Sequence, residues 1–247
     1  MIKLSEETKS IITFAVKYCS LVKIDTLLID QSGIRAKQDL TAVYLIEPGD
    51  YSFLEFGSLY ITRISALAPK IKMFEALKKD YDIFIEVKEL DNEETVVKSM
   101  KLRNSSTSVN FNCSVMPQKS KLPKKVKDPL FYEFKCDKDT LDVLGRGVSA
   151  MGASILKLSN DDSTVVCTVK DMESDMLKHT VAESYSILSK DAEEIFDFDY
   201  DFKIILPLLK EAAKDDGEFD IQITRRGIMR LFINSLSMYI FPEKKRV

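Results

Sequence analysis

Asp197, Asp199 and Asp201 alternate along a strand-forming run. Alternation puts three carboxylates on one face, where oxygen ligands could hold a divalent cation. No partner triad can be placed opposite them from the sequence, and Asp201 stands where it can cap the helical pattern that follows. The set reads as solvated surface, and no metal is expected. The sole histidine, His179, precedes a strand and has no cysteine or histidine at ligand spacing. The four cysteines, Cys19, Cys113, Cys136 and Cys167, are too scattered for a zinc signature. Gly145-Arg146-Gly147 followed by Gly152 superficially suggests a dinucleotide loop, yet it lies inside a helical pattern and not in a strand-to-helix turn. Small residues there let a helix pack closely on a sheet or on another helix. No nucleophile–base pair emerges, so neither catalytic residues nor a cofactor are expected.

Positive charge arranged in lines is the remaining chemistry. In residues 201–214, DFKIILPLLKEAAK, the residues Lys203, Pro207, Lys210 and Lys214 fall at i, i+4, i+7 and i+11 of a helix. Ile204, Ile205, Leu208 and Ala212 face the other way and can lie on a sheet. The formal net charge is −3, so a basic stripe stands out against an acidic background. Other helical patterns turn Lys9, Lys17, Lys72, Lys79, Lys138 and Arg146 outward in the same manner. Such faces suit contact with phosphate backbones without base reading.

The elements that carry these residues are short and amphipathic. At 247 residues, with 45% hydrophobic and 30% charged content, the chain can bury a substantial core in one or two domains. No apolar run approaches the roughly 20 residues that span a bilayer, and the N-terminus opens into a polar helix, so a soluble, cytoplasmic protein is expected. Ser5 can cap a first helix reaching Cys19, with Ile11, Ile12, Phe14, Ala15, Tyr18 and Cys19 buried. Strands are expected over 21–25, 26–31, 34–38, 42–46 and 51–56, then a second helix within 65–79, its start left open because Pro69 suits only a first turn, with Met73, Phe74 and Leu77 buried. A meander follows over 81–88, 95–102 and 107–115. Residues 117–129, PQKSKLPKKVKDP, hold three prolines and five lysines and read as an extended connector.

The first pattern then restarts. A strand over 131–136 leads to a helix capped by Asp137 or Asp139 and reaching Met151, with Leu141, Leu144 and Val148 buried. Strands over 155–159, 164–170, 181–188 and 196–200 lead to the basic helix, and three more strands close the chain. From first to second helix cap is 60 residues in one half (Ser5 to Ser65) and 64 in the other (Asp137 to Asp201). An internal duplication accounts for this spacing. It gives an α+β fold of two modules, 1–116 and 130–247, joined by the connector 117–129, each with antiparallel strands under two amphipathic helices.

That pattern resembles the DNA polymerase sliding clamps, in particular those of T-even phage type within the proliferating cell nuclear antigen-like superfamily. The opening MIKLSEETKSIITFAVKYCS, the strand–helix–strand FDFDYDFKIILPLLKEAAKDDGEFDIQI and the closing LFINSLSMYIFPE carry the resemblance, which covers nearly the whole chain. The sequence departs from the family in the prolines within its second and fourth helices and in a more lysine-rich connector. The resemblance implies a processivity factor without enzymatic activity, a homotrimeric ring around double-stranded DNA that tethers a replicative polymerase and is opened by an ATP-dependent clamp loader. It places Lys9, Lys17, Lys72, Lys138, Arg146, Lys203, Lys210 and Lys214 toward the duplex. It brings Leu122 and Val126 to Tyr239, Ile240, Phe241 and Pro242 in a pocket for partner peptides. It sets Val109, Phe111 and Cys113 of 107–115 against Val181, Tyr185 and Ile187 of 181–188 at the subunit interface. The competing readings are a DNA-binding replication accessory subunit that forms no ring and a metal-dependent nucleic-acid enzyme using Asp197 and Asp199.

Overall fold

The computed structural model describes residues 1–37, 43–48, 51–54, 56–77, 80–90, 94–114, 126–170, 175–191, 195–233 and 236–243. The chain divides into two compact units, Met1–Lys125 and Val126–Val247.

Unit 1 runs β1 (Ile2–Lys3), α1 (Glu6–Leu21), β2 (Leu27–Asp30), β3 (Gly33–Lys37), β4 (Val43–Pro48), β5 (Ser58–Ile61), α2 (Ile64–Ala76), β6 (Asp82–Glu89), β7 (Thr95–Arg103) and β8 (Ser108–Asn112). Its strands lie in the order β1-β6-β7-β5-β2-β3-β4, with β8 on β7. Pairing is antiparallel except at Ser58↔Val96, where β5 and β7 meet in parallel. Gly57 permits that approach, because a Cβ there would stand 2.3 Å from the Thr95 carbonyl oxygen.

Unit 2 runs β9 (Leu130–Asp137), α3 (Lys138–Met151), β10 (Ile155–Asp161), β11 (Thr164–Lys170), β12 (Met176–Ala182), β13 (Ser186–Ile187), β14 (Asp197–Asp201), α4 (Phe202–Asp216), β15 (Glu218–Thr224), β16 (Met229–Ile233) and β17 (Leu236–Ile240). One run of strands is β17-β16-β15-β9-β13 and the other β12-β11-β10-β14. Apart from the short β13, its elements repeat those of unit 1 in order.

Local chemistry repeats as well. Ser5 caps α1 by accepting from Thr8 N at 3.2 Å, and Asp137 caps α3 by accepting from Thr140 N at 2.7 Å. In both, the third helical residue is a buried threonine. Pro69 is the sixth residue of α2 and Pro207 the sixth of α4. Each proline removes one helical donor. The residues four back, Ser65 and Lys203, are exposed, so water can take the released carbonyl. The prolines that the sequence presents as departures are thus a shared feature of the two second helices, and Pro69 lies beyond the first turn.

The core corrects several helix faces. In α4 the buried stripe is Phe202, Ile205, Leu208, Leu209 and Ala213, while Ile204 and Ala212 are half-buried. In α2 it is Ile64, Leu67, Ile71 and Phe74; Met73 and Leu77 are exposed. In α1, Phe14 is exposed and stacks on Tyr18 with ring centroids 6.4 Å apart. Residues 21–25 are not a strand: α1 continues to Leu21, and Ile24 N donates to Cys19 O. The described part of 51–56 is a turn, with Leu54 N donating to Tyr51 O. The expected strand over 181–188 is two pieces. β12 ends at Ala182, and β13 pairs with β9 in the other run of strands. No helix among the described residues is long and apolar enough to cross a membrane.

Candidate nucleic-acid interface

In each unit the two helices pack against one another and turn a polar side outward. Lys17 and Lys72 are exposed on α1 and α2; Lys138 and Arg146 on α3; Lys203, Lys210 and Lys214 on α4. Lys79 lies outside the described residues. The α3–α4 seam brings a cation of one helix onto the other. A Cβ at Gly145 would lie 3.7 Å from Lys210 Nζ and 3.8 Å from Leu206, so the Lys210 ammonium sits over α3 at Gly145. Lys138 is the first residue of α3 and Lys203 the second of α4. A cation there opposes the helix dipole, a cost of about 0.3–1 kcal/mol at an exposed site. In contrast, α1 opens with Glu6 and Glu7, the arrangement that folding favours. Helix stability therefore does not account for Lys138 and Lys203.

Two of the expected DNA-facing residues are held by the protein itself. The Lys9 side chain is only 17% exposed. Its ammonium donates to Glu6 Oε2 and to Tyr81 O, both at 2.8 Å, and lies 4.7 Å from the Tyr81 ring centroid. Lys9 therefore ties α1 to the start of β6 and is not an outward cation. Lys214 lies 2.6 Å from Glu211, whose side chain is buried; it neutralises an acid that the fold has desolvated, while its own side chain stays mostly exposed.

Asp137 orients α3 and its two cations. Hydrogen bonds from Thr140 hold its carboxyl below the ordinary carboxylate value of 3.8. A depressed folded pKa stabilises the fold above the unfolded pKa, and that stability is lost as pH falls through the folded value. Asp137→Ala is expected to cost about 1 kcal/mol at pH 7. Asp137→Asn keeps the acceptor and should match wild type at pH 7, while losing less stability between pH 5 and 3 than wild type does. Urea unfolding at the two pH values measures both effects.

The other expected residues separate. In β8, Cys113 N donates to Lys98 O, so alternation turns the backbone of Phe111 and Val109 toward β7 and that of Ser108, Asn110 and Asn112 outward. Phe111 is buried beneath Arg63, whose guanidinium lies 5.3 Å from its ring centroid. Val109 and Cys113 are half-buried. Val181 is buried, and Tyr185, in the irregular connection between β12 and β13, accepts from Asn160 Nδ2 at 2.8 Å. Ile187 is exposed, but on β13. As side-chain interface residues, Phe111 and Val181 are corrected to core positions. What β8 and β12 offer is backbone edge. Leu122 lies outside the described residues. Val126, Tyr239, Phe241 and Pro242 are half-buried, whereas Ile240 points into the core opposite Met229 and is corrected out of the pocket.

The carboxylates and glycines that could suggest a cation or dinucleotide site have structural work. Lys157 pairs with Asp197 at 2.7 Å, Asp199 O accepts from Glu243 N, and Asp201 caps α4 through Lys203 N. Among the described residues no three His, Cys, Asp or Glu side chains are grouped to hold a metal ion. Gly147 lies inside α3, and a Cβ there would meet Leu177 of β12 at 2.1 Å. The glycine run thus sets helix-on-strand packing.

Helix pairs over antiparallel strands, repeated along one chain, define the sliding-clamp class of fold. Among solved structures the chain is similar to the proliferating cellular nuclear antigen of Entamoeba histolytica, at 15% identity and a TM-score of 0.63 over 98% of each chain. It is also similar to a chain of the PCNA2–PCNA3 complex of Sulfolobus tokodaii, at 11% identity and a TM-score of 0.59, over 94% of this chain and 96% of that one. At these identities the likeness is one of fold. No family model and no curated protein matches the sequence.

Proposed function

We propose that the protein is a DNA polymerase processivity factor of T-even phage type, a sliding clamp that closes as a homotrimer around duplex DNA. The observation that carries this reading is the repeated helix pair. Each unit of a net-acidic chain exposes cations on its helices, two of them in first turns where the helix dipole disfavours them. Lys17, Lys72, Lys138, Arg146, Lys203, Lys210 and Lys214 form the DNA-facing set. They meet phosphates without reading bases, so the ring slides. Encirclement supplies retention, and no bond is made or broken. An ATP-dependent loader opens the ring. Leu122 and Val126 with Tyr239, Phe241 and Pro242 receive short apolar peptides of polymerase and loader.

Closure joins the outward edge of β8 to the edge of β12 on the next subunit, a head-to-tail contact that completes a ring. Sedimentation equilibrium is expected to approach three chains as concentration rises. Asn110→Pro removes an outward donor and leaves the β7 ladder intact, so it should lower that mass without unfolding the chain. Retention on nicked circular DNA, lost on linearisation, is the companion measurement. A monomer at every concentration that binds circular and linear DNA alike would replace this reading with that of a non-ring accessory subunit.

A further inference from the structure

A cleft of about 480 Å3 in unit 2 is lined by β9 from Glu133 to Asp137, by residues Thr180 to Ser186, and by Glu218 and Asp220 of β15. Its walls carry five carboxylates, Glu133, Asp137, Glu183, Glu218 and Asp220, against one cation, Lys135, which lies 3.7 Å from Glu218. Asp137 is engaged at α3 and Glu133 accepts from Gln222, but Glu183 and Asp220 are exposed.

Independently, the cleft contains an open strand edge. Leu188 N donates to Phe131 O at 2.8 Å, which shows that Phe131 turns its backbone toward β13. Alternation turns Glu133 and Lys135 the same way. Lys138 N, of opposite parity, donates to Gly217 O on the β15 side. Pairing with β13 ends at Ser186↔Glu133. The N–H and C=O of Lys135 therefore face the cleft, with no strand beside them among the described residues. Such an edge accepts an added strand.

The side chains along that edge specify the added strand. Lys135 is opposite Asp220 and Asp137 opposite Glu218 in the β9–β15 register, so these residues and Glu133 share one acidic face. Phe134 and Cys136 point to the opposite, buried side, and Val181 and Ala182 of β12, on alternate faces of that strand, supply the apolar part of the cleft lining.

We propose that this cleft binds an extended segment of a partner protein in which lysine or arginine alternates with small apolar residues, added as a strand beside β9 and end-on to β13. The basic side chains meet Asp220, Glu133 and Glu183, and the apolar ones meet Val181 and Ala182. All of these residues belong to unit 2, but Val181 and Ala182 lie on β12, whose edge the proposed ring closure also uses, so peptide and ring closure would compete there, and the peptide is tested on the free chain.

The test is fluorescence anisotropy of the full chain with a labelled peptide Gly-Lys-Val-Lys-Val-Lys-Gly. Saturable binding is expected, weakened about tenfold or more by Glu183→Lys/Asp220→Lys, as for a charge-matched contact. Opposite an antiparallel edge the peptide residues that bond to Lys135 share its face, so methylating the main-chain nitrogens of the lysines should weaken it by a similar factor, and amide exchange at Lys135 should slow when the unmodified peptide binds. Both substituted residues are exposed, and circular dichroism of the variant checks its fold. The proposal is overturned if wild type shows no saturable binding, if the double variant binds equally, if the methylated peptide binds as well as its parent, or if a peptide with glutamate for lysine binds as tightly.

Discussion

Lys203→Glu/Lys210→Glu is expected to lose retention on nicked circular DNA at physiological salt while keeping its fold. Each reversal replaces an attraction to phosphate with a repulsion, and phosphate contacts combine through counterion release. Removing two should therefore lower the slope of log affinity against log salt by about 2 and weaken duplex binding by at least about tenfold. Lys210 is the stronger of the pair, because its ammonium lies over α3 at Gly145 and reversal affects the surface of both helices. Lys203→Glu moves an anion into the first turn of α4, which the helix dipole favours by a few tenths of a kcal/mol, so any loss of DNA binding is not a loss of helix. Lys214 is left in place because its removal would deprive buried Glu211 of a close cation and confound the result. The measurement is retention at several salt concentrations with thermal unfolding as control. Undiminished retention would take α4 off the DNA-facing surface.

Gly227→Ala is expected to be the most damaging small substitution in unit 2. Gly227 has φ +78° in the turn between β15 and β16, and an added Cβ would fall 2.3–2.7 Å from ring atoms of Phe198. The turn has little room to move. Gly227 N donates to Thr224 O, Thr224 Oγ1 accepts from Ile228 N, and the Tyr200 hydroxyl donates to Gly227 O at 2.7 Å inside the core. A left-handed backbone costs a side chain about 1–2 kcal/mol and overpacking a further 1–3 kcal/mol, for a total near 3 kcal/mol. Gly152→Ala separates the two contributions, because Gly152 has φ +62° with nothing within 4 Å of the added atom; it should cost only about 1–2 kcal/mol. Gly145→Ala should go the other way, gaining up to about 1 kcal/mol of helix propensity at ordinary contact distances. Urea unfolding of the three variants orders them. Gly227→Ala no worse than Gly152→Ala would mean that Phe198 moves aside freely.

Much of this architecture was legible where a local rule and the tertiary fold agree. Ser5 and Asp137 cap the helices they precede, Leu141, Leu144 and Val148 form the buried stripe of α3, and Gly152 stops it. The misreadings arise where a distant partner overrides the local pattern. In α4 the buried stripe is turned by roughly one residue, and Glu211 is buried with Lys214 as its close cation, a pairing no helical wheel shows. Lys9 looks outward by spacing, yet Tyr81, 72 residues away, draws it back. Met73 and Leu77 are apolar at helical spacing but exposed, while their neighbours Ile71 and Phe74 take the buried side. The break between β12 and β13 has no turn signal of glycine or proline. The chain leaves one run of strands for another at Glu183-Ser184, and Tyr185 packs among Tyr132 and Phe196. The matched prolines were visible as letters, but only the helix starts reveal that both occupy the same place.

The four cysteines have a practical consequence for watching this protein at work. Cys19, Cys136 and Cys167 are buried and Cys113 is half-buried, none in a disulfide. Burial pushes the Cys19 thiol far up and the thiols of Cys113, Cys136 and Cys167 up to about 12. At pH 7 a thiol with that pKa is about 1 part in 100,000 thiolate, against a few per cent for an exposed cysteine. Maleimide dyes react with the thiolate, so a cysteine introduced at exposed Ser105 or Lys170, outside the proposed DNA-facing set, would be labelled selectively on the otherwise native chain. The proposed subunit exchange and movement along DNA could then be tested by energy transfer without first removing any natural cysteine.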